Sequence, residues 1–251
     1  MELTLVTYLI VCPLVFLAGL IDSVAGGGGL ISLPAYYLAG LNPVLAAGTN
    51  KLSACLGTVA STTRFVRGKK VDWKAGIFAA IGGFPGCWLG TLLLLHFPED
   101  TVRLLMICAI PLVAVVVLRK REMTGCCLVA ENFYRPLAFV IGLVIGFYDG
   151  LIGPGTGTFL ILMFTMALGM EAVMASGTAK VVNLTSNVAA LISLATTGNV
   201  LIALGLPAAV CGIAGNWLGG GLTMKKGAGF IRYMLLVVLA LLLAKMVLDV
   251  L

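Results

Sequence analysis

Charge is what this sequence has little of. Of its 251 residues, 10% are Asp, Glu, Lys or Arg, where a soluble domain carries about 25%. Too few charges are present to cover a water-facing surface, which excludes an ordinary soluble fold. Histidine occurs once, at His96, beside Glu99 and Asp100 at a segment end. That excludes a His-Glu-x-x-His metal set, and His96 reads as a loop residue rather than part of a Ser/His/Asp arrangement. No acidic ligand run is present either. The seven cysteines show no CxxC spacing. Cys12, Cys55, Cys87, Cys108 and Cys211 lie in apolar runs, where Cys acts as a small hydrophobe. Cys126-Cys127 are adjacent and poorly placed to bridge each other. No disulfide framework, metal or cofactor is expected, and no enzyme.

What is present is apolar. Hydrophobic residues make up 61% of the chain and the mean hydropathy is +1.13. That surplus needs lipid as its solvent, so the expected class is an all-α polytopic membrane protein. The net charge of +6 could suggest nucleic acid, but 12 of the 16 basic residues fall in three clusters between apolar segments. These are Arg64, Arg67, Lys69, Lys70 and Lys74; Arg119, Lys120, Arg121 and Arg135; and Lys225, Lys226 and Arg232. This is the cytoplasmic-loop pattern of membrane proteins, so the bilayer is a partner and nucleic acid is not. The first segment, Leu3–Ile21, lacks a basic leader and is read as mature structure.

Two polar, glycine-rich stretches interrupt the apolar chain. The first runs from Asp22 through Gly26, Gly27, Gly28 and Gly29 to Gly48-Thr49-Asn50-Lys51. The second runs from Asp149 through Gly153-Pro154-Gly155-Thr156-Gly157 to Gly177-Thr178-Ala179-Lys180. Trp88-Leu89-Gly90 matches Trp217-Leu218-Gly219, and Gly48-Thr49-x-Lys51 matches Gly177-Thr178-x-Lys180, both at an offset of 129 (217−88 and 177−48). The acids Asp22 and Asp149 are offset by 127 (149−22). An internal duplication is expected: a first repeat over 1–122, a cytoplasmic connector over 123–135 and a second repeat over 136–251.

With all basic clusters in the cytoplasm, the loop at Gly198 is outside while its equivalent at Gly68 is inside. The halves then have inverted topology, with both chain ends outside. Leu30–Gly40 and Pro136–Tyr148 are too short to span a core of about 30 Å at about 1.5 Å per residue. Each half is therefore expected to open with a Gly-rich re-entrant or broken helix pair, followed by three full transmembrane helices. Five crossings per half is the alternative.

Runs such as Gly26–Gly29 and Gly-Pro-Gly-Thr-Gly are poor helix interiors. Opened backbone at membrane depth is tolerated only where it is buried or lines a cavity. A helix starting beyond such a loop presents its positive end, suited to an anion. Scattered glycines such as Gly86, Gly90, Gly215 and Gly219 read instead as close helix packing. A central lysine costs about 2.5–3.5 kcal/mol on the translocon scale, so Lys51 and Lys180 need a purpose. They hold an anion between them, or they pair with Asp22 and Asp149; both readings stand. Asn50 and Ser53 near the first lysine, and Asn183, Ser186 and Asn187 after the second, form polar stripes. Lys180, Asn183 and Asn187 share one helix face. Trp88 and Trp217 read as packing residues.

These motifs, in two halves of one plan, resemble the TauE/SafE sulfite exporter family, also called the toluene sulfonate uptake permease family. The resemblance covers nearly the whole chain and is most specific at Asp22–Ser32 and Gly48–Lys51. The second half departs from it, with Ala179 in place of asparagine. The resemblance implies a transporter of sulfite, sulfonates or related small sulfur-containing anions in a prokaryotic cytoplasmic membrane. The expected substrate-binding set is Gly26, Gly27, Gly28, Gly29, Thr49, Asn50, Lys51, Gly155, Thr156, Gly157, Thr178, Lys180, Asn183 and Asn187. Asp22 and Asp149 are the expected coupling groups. A passive anion channel with the same lining is the alternative, and homo-oligomer formation is left open.

Overall fold

The computed structural model describes residues 3–98, 101 and 130–250, with no strand among them. The segment expected over Val102–Leu118, the Cys126-Cys127 pair and most of the basic connector lie outside the described residues. Eight helices are described: α1 (Leu5–Ala25), α2 (Gly29–Leu38), α3 (Pro43–Arg67), α4 (Trp73–His96), α5 (Glu131–Leu151), α6 (Thr156–Met166), α7 (Ala172–Thr196) and α8 (Ile202–Val250). Gly227 (φ 70°) kinks α8.

Among the described residues, five stretches are long and apolar enough to cross a membrane: α1, α4, α5, α7 and Ile202–Gly227 of α8. Helix α3 is also 25 residues long, but Thr49, Asn50, Lys51, Ser53, Thr58 and Ser61 are buried along it. Among the described helices, α2 and α6, with 10 and 11 residues, are half-length. Helix α5 corrects the expectation of a short segment starting at Pro136. It starts at Glu131 and has 21 residues, about 31 Å of helix. The charges of its first turn, which made the sequence look like connector, are absorbed by α4. Lys74 pairs with Glu131 at 3.0 Å, and the Arg135 guanidinium lies 5.6 Å from the Phe78 ring centre.

Local signals set the other boundaries. Asn42 caps α3 by accepting from the Leu45 N–H at 2.9 Å, with Pro43 in the first turn. Asp72 caps α4 by accepting from the N–H groups of Lys74 and Ala75. Such caps contribute about 1 kcal/mol each.

The scattered glycines pack helices, as expected from the sequence. Gly82, Gly86 and Gly90 of α4 lie against the carbonyls of Phe139, Leu143 and Phe147 on α5. Gly215 and Gly219 of α8 lie against the carbonyls of Phe16 and Leu20 on α1. A Cβ at any of these positions would meet backbone, so only glycine allows the approach. The two contacts correspond residue by residue. Gly86 and Gly215 differ by 129, and their partners Leu143 and Phe16 by 127. Each half thus packs its first helix on the other half's fourth, and the repeats are interleaved.

Helices α3 and α7 cross in opposite senses at the centre. Late in α3, the Thr62 hydroxyl donates to the Lys180 carbonyl early in α7. Early in α3, Lys51 reaches Asn187, late in α7. One end of this bundle gathers the basic residues. Arg64 and Arg67 close α3, Lys69, Lys70 and Lys74 follow, Glu131 brings the start of α5 there, and Met224 of α8 packs near Phe65. At the other end, Tyr8 and Val11 of α1, Tyr36 and Leu41 beyond mid-α2, Ala46 of α3 and Leu204 of α8 share one apolar cluster. The described loops there, 39–42, 97–98 and 197–201, hold no Lys or Arg.

Candidate functional site

The helix pairs break at the glycines. Helix α1 ends at Gly26 in the left-handed region (φ 76°), and α2 resumes at Gly29. In the second pair, Gly153 (φ 89°) and Gly155 (φ 85°) open the chain before α6. The two openings touch. A Cβ at Gly26 would collide with the backbone of Gly157 and Thr158, and the Thr158 hydroxyl donates to the Ala25 carbonyl at 2.7 Å. Neither α2 nor α6 has a side-chain cap. In their first turns the Leu30, Ile31 and Thr156 N–H groups donate to the carbonyls of Gly27, Gly28 and Gly153, and the helix starts carry the partial positive charge that attracts anions.

Lys51 and Lys180 occupy the same place in their helices, the ninth of 25 residues in α3 and α7 (51−43+1 and 180−172+1). Each pairs with the acid of the opposite half. Lys51 Nζ lies 2.8 Å from Asp149 Oδ2 and donates to Asn187 Oδ1 at 3.1 Å. Lys180 Nζ lies 2.7 Å from Asp22 Oδ2 and also donates to the Asp22 carbonyl. Burial explains the pairing, because a lone ammonium or carboxylate in a dry interior costs several kcal/mol. On the axis between the helices, the Asn187 amide donates to the Thr58 hydroxyl at 3.3 Å, and these two residues are repeat equivalents (187−58 = 129).

The pairs are not alike. Asp149 accepts from Thr156 at 2.9 Å and from Ser186 at 2.6 Å in addition to Lys51, and its side chain is 6% exposed. Asp22 Oδ1 accepts only a long 3.4 Å bond from the Gly28 N–H, and its side chain is 21% exposed. Lys180 is fully enclosed while Lys51 retains 10%.

The openings and ion pairs border a cavity of about 80 Å³. At about 10–15 Å³ per water centre, it admits several waters or one small oxyanion. Asp22, Gly26, Gly28, Gly29, Asn50, Lys51, Asp149, Gly155, Thr156, Gly157, Asn183 and Asn187, all singled out from sequence, line it. Gly27, Thr49, Thr178 and Lys180 do not. The two threonines have another task. The Thr49 hydroxyl accepts from the Leu201 N–H at 3.0 Å, and the Thr178 hydroxyl accepts from the Asp72 N–H at 2.9 Å. Gly48 and Gly177 beside them let the Asn199 and Lys70 carbonyls approach. The partners again differ by 129 (201−72 and 199−70). In both motifs, Gly-Thr clips a loop to a helix, and the lysine two residues on reaches the acid.

Ser32, Ser53 and Asn216 also line the cavity. Ser53 lay in the polar stripe, and its hydroxyl meets that of Tyr36 at 2.8 Å. Asn216 escaped the sequence reading. Its signal is a single amide inside the apolar run 202–224. Its Oδ1 and the Oδ1 of Asn183 are buried without a partner. Trp88 stacks on Phe84 at 6.2 Å, and Trp217 lies under the Arg64 guanidinium at 4.8 Å. Neither lines the cavity.

The family model for sulfite exporter TauE/SafE matches residues 11–246. The chain belongs to this family. Among its relatives is a protein of Escherichia coli strain K12 named probable membrane transporter protein YfcA. It is 34% identical over 242 residues, covering 93% of this chain and 87% of that protein. A probable membrane transporter protein of Haemophilus influenzae is 33% identical, covering 93% of this chain and 92% of its own length. The probable membrane transporter protein ORF9 of a Sinorhizobium species is 34% identical, with shares of 93% and 90%. No solved structure matches the chain. This chain is thus a multi-pass helical membrane protein of the TauE/SafE family.

Proposed function

We propose that this protein is a secondary transporter of a small sulfur-containing oxyanion such as sulfite or a sulfonate. The carrying observation is the junction of two uncapped, glycine-opened helix starts at one cavity that also holds the Lys51 ammonium. Backbone N–H groups and an ammonium together provide the donors an oxyanion takes. The family name and the relatives' names are in keeping with transport.

The halves have inverted topology in this reading. Support comes from the opposite senses of α3 and α7, and from the way the helix pairs start. Helix α1 starts in the cluster shared with the start of α3, whereas α5 starts beside Lys74, just beyond the end of α3. The basic end faces the cytoplasm by the positive-inside rule, and both chain ends lie outside. The cavity is lined by the early part of α3 (Ala47–Ala54) and the later part of α7 (Asn183–Leu194). It therefore leans toward the outer face. The Gly26–Gly157 contact and the Lys180–Asp22 pair lie on its cytoplasmic side. Such one-sided access suits alternating access better than a passive channel. Asp22 or Asp149 couples the cycle through protonation. Assembly into a homo-oligomer is part of the same proposal.

The test is uptake of labelled sulfite and sulfonates into proteoliposomes, with and without a pH gradient. Saturable, gradient-driven accumulation supports the transporter. Conductance without accumulation would establish the channel, and absence of anion flux would remove both.

A further inference from the structure

The two carboxylates at the cavity are equivalent by repeat, yet their surroundings divide them. Asp149 is held by the Lys51 ammonium and the hydroxyls of Ser186 and Thr156, with the Cys87 thiol 3.9 Å from its Oδ2. The position equivalent to Ser186 near Asp22 is Gly57 (186−129). The equivalent of Thr156 falls on Gly27 or Gly29, at offset 129 or 127. Both hydroxyl donors are therefore replaced by glycine. The amide of Asn216, at the position equivalent to Cys87, donates instead to the Gly212 carbonyl. Asp22 Oδ1 is left with one long N–H contact and a fifth of its side chain open to the cavity.

We propose that Asp22 is the carboxylate that takes up and releases the coupling proton, while Asp149 remains the fixed counter-charge of Lys51. This rests on the reading of the chain as a coupled anion transporter. Oδ1 of Asp22 has room for a proton arriving from water in the cavity. Asp149 offers its oxygens to an ammonium, two hydroxyls and the Cys87 thiol already and has no such room. The charged groups around Asp22 are Lys180 of α7, which touches it, and Lys51 and Asp149 across the cavity. When the Asp22 carboxylate gains a proton and becomes neutral, the enclosed Lys180 ammonium loses its counter-charge. An anion entering beside Lys51 restores neutrality. Proton and anion therefore favour each other's binding by the same factor, as linkage requires. The coupling is cotransport in one direction, not exchange of anion against proton.

The experiment uses the full chain in proteoliposomes with two labelled probes, sulfite and methanesulfonate; the charge of the second does not change with pH. An outside-acid difference of one pH unit drives about tenfold accumulation by wild type if one proton accompanies one monovalent anion. Asp22→Asn loses this accumulation but keeps exchange of labelled for unlabelled anion, within about tenfold of wild type. Asp149→Asn loses both together. Because Asp22→Asn leaves Lys180 unpaired, the double variant Asp22→Asn, Lys180→Met is measured beside it and shows the same split. Accumulation that survives Asp22→Asn, a selective loss of accumulation in Asp149→Asn, or accumulation driven by an inside-acid difference would each overturn the proposal. A wild type without saturable flux of either probe would instead overturn the transporter reading itself.

Discussion

Lys51 of the first half and Asp149 of the second lie 2.8 Å apart, and their repeat equivalents Lys180 and Asp22 lie 2.7 Å apart. The lysine-bearing helix of each half is thereby tied to the broken helix pair of the other. No pair closes within its own half. Any movement of one half against the other must act on both pairs.

Removing one member of such a pair leaves the other buried and uncompensated, at a cost of about 3–5 kcal/mol. Lys51→Ala is expected to lose anion uptake and to melt at a lower temperature in detergent. Lys51→Ala with Asp149→Ala recovers most of the thermal stability but not the uptake, because the ammonium is gone. Thermal unfolding and uptake, measured on the same preparations, check this. Full uptake by Lys51→Ala would remove the lysine from the site.

Gly26→Ala is expected to be severe. The residue has φ 76°, and a Cβ there would collide with Gly157 and Thr158. Gly198→Ala has a similar φ of 75° but open space around it, so its cost is limited to about 1–2 kcal/mol of backbone strain. The expected order is loss of folded protein for the first and near-normal yield for the second, read by size-exclusion chromatography.

Thr49→Val and Thr178→Val remove the hydroxyls that accept the Leu201 and Asp72 N–H groups. Each leaves a part-buried donor without its partner, at about 1 kcal/mol. Neither threonine lines the cavity, so the expected result is a lower melting temperature with the KM for uptake within about twofold of wild type. A large rise in KM would return the threonines to the binding site.

Single cysteines in a cysteine-free background test the orientation. A cysteine at Gly198 is expected to react with an impermeant thiol reagent from outside intact cells, and one at Lys69 only from the cytoplasmic side. Asn50 lines the cavity, and in the proposed orientation Asn50→Cys is expected to react from outside. Labelling of Gly198→Cys and Lys69→Cys from one side would remove the inverted topology.

Much of this protein is legible in one dimension. Scarcity of charge dictates lipid as solvent, and Gly-Thr-x-Lys and Trp-Leu-Gly recur at a common offset of 129. Glycine runs mark where helices break, because no other residue takes φ near 80° cheaply. Asp22, Lys51, Asp149 and Lys180 stand out because an ionisable group in an apolar run needs a partner or a cavity.

Helix lengths were less legible. The start of α5 at Glu131 was hidden because its charges are satisfied by Lys74 and Phe78, far away in sequence. The tasks of Thr49 and Thr178 were hidden for a similar reason. Their partners, Leu201 and Asp72, are brought to them by loops whose path sequence spacing does not encode.

The sequence by itself determined the membrane class, the places where helices break and the four ionisable groups that need partners inside apolar runs. Only the tertiary structure decided which lysine meets which acid, and that Lys51 faces the cavity while Lys180 is sealed. The physical reason is that burial demands a counter-charge without specifying which one. The choice comes from the glycine-packed crossings of α4 on α5 and α1 on α8, which carry each half's acid to the other half's lysine.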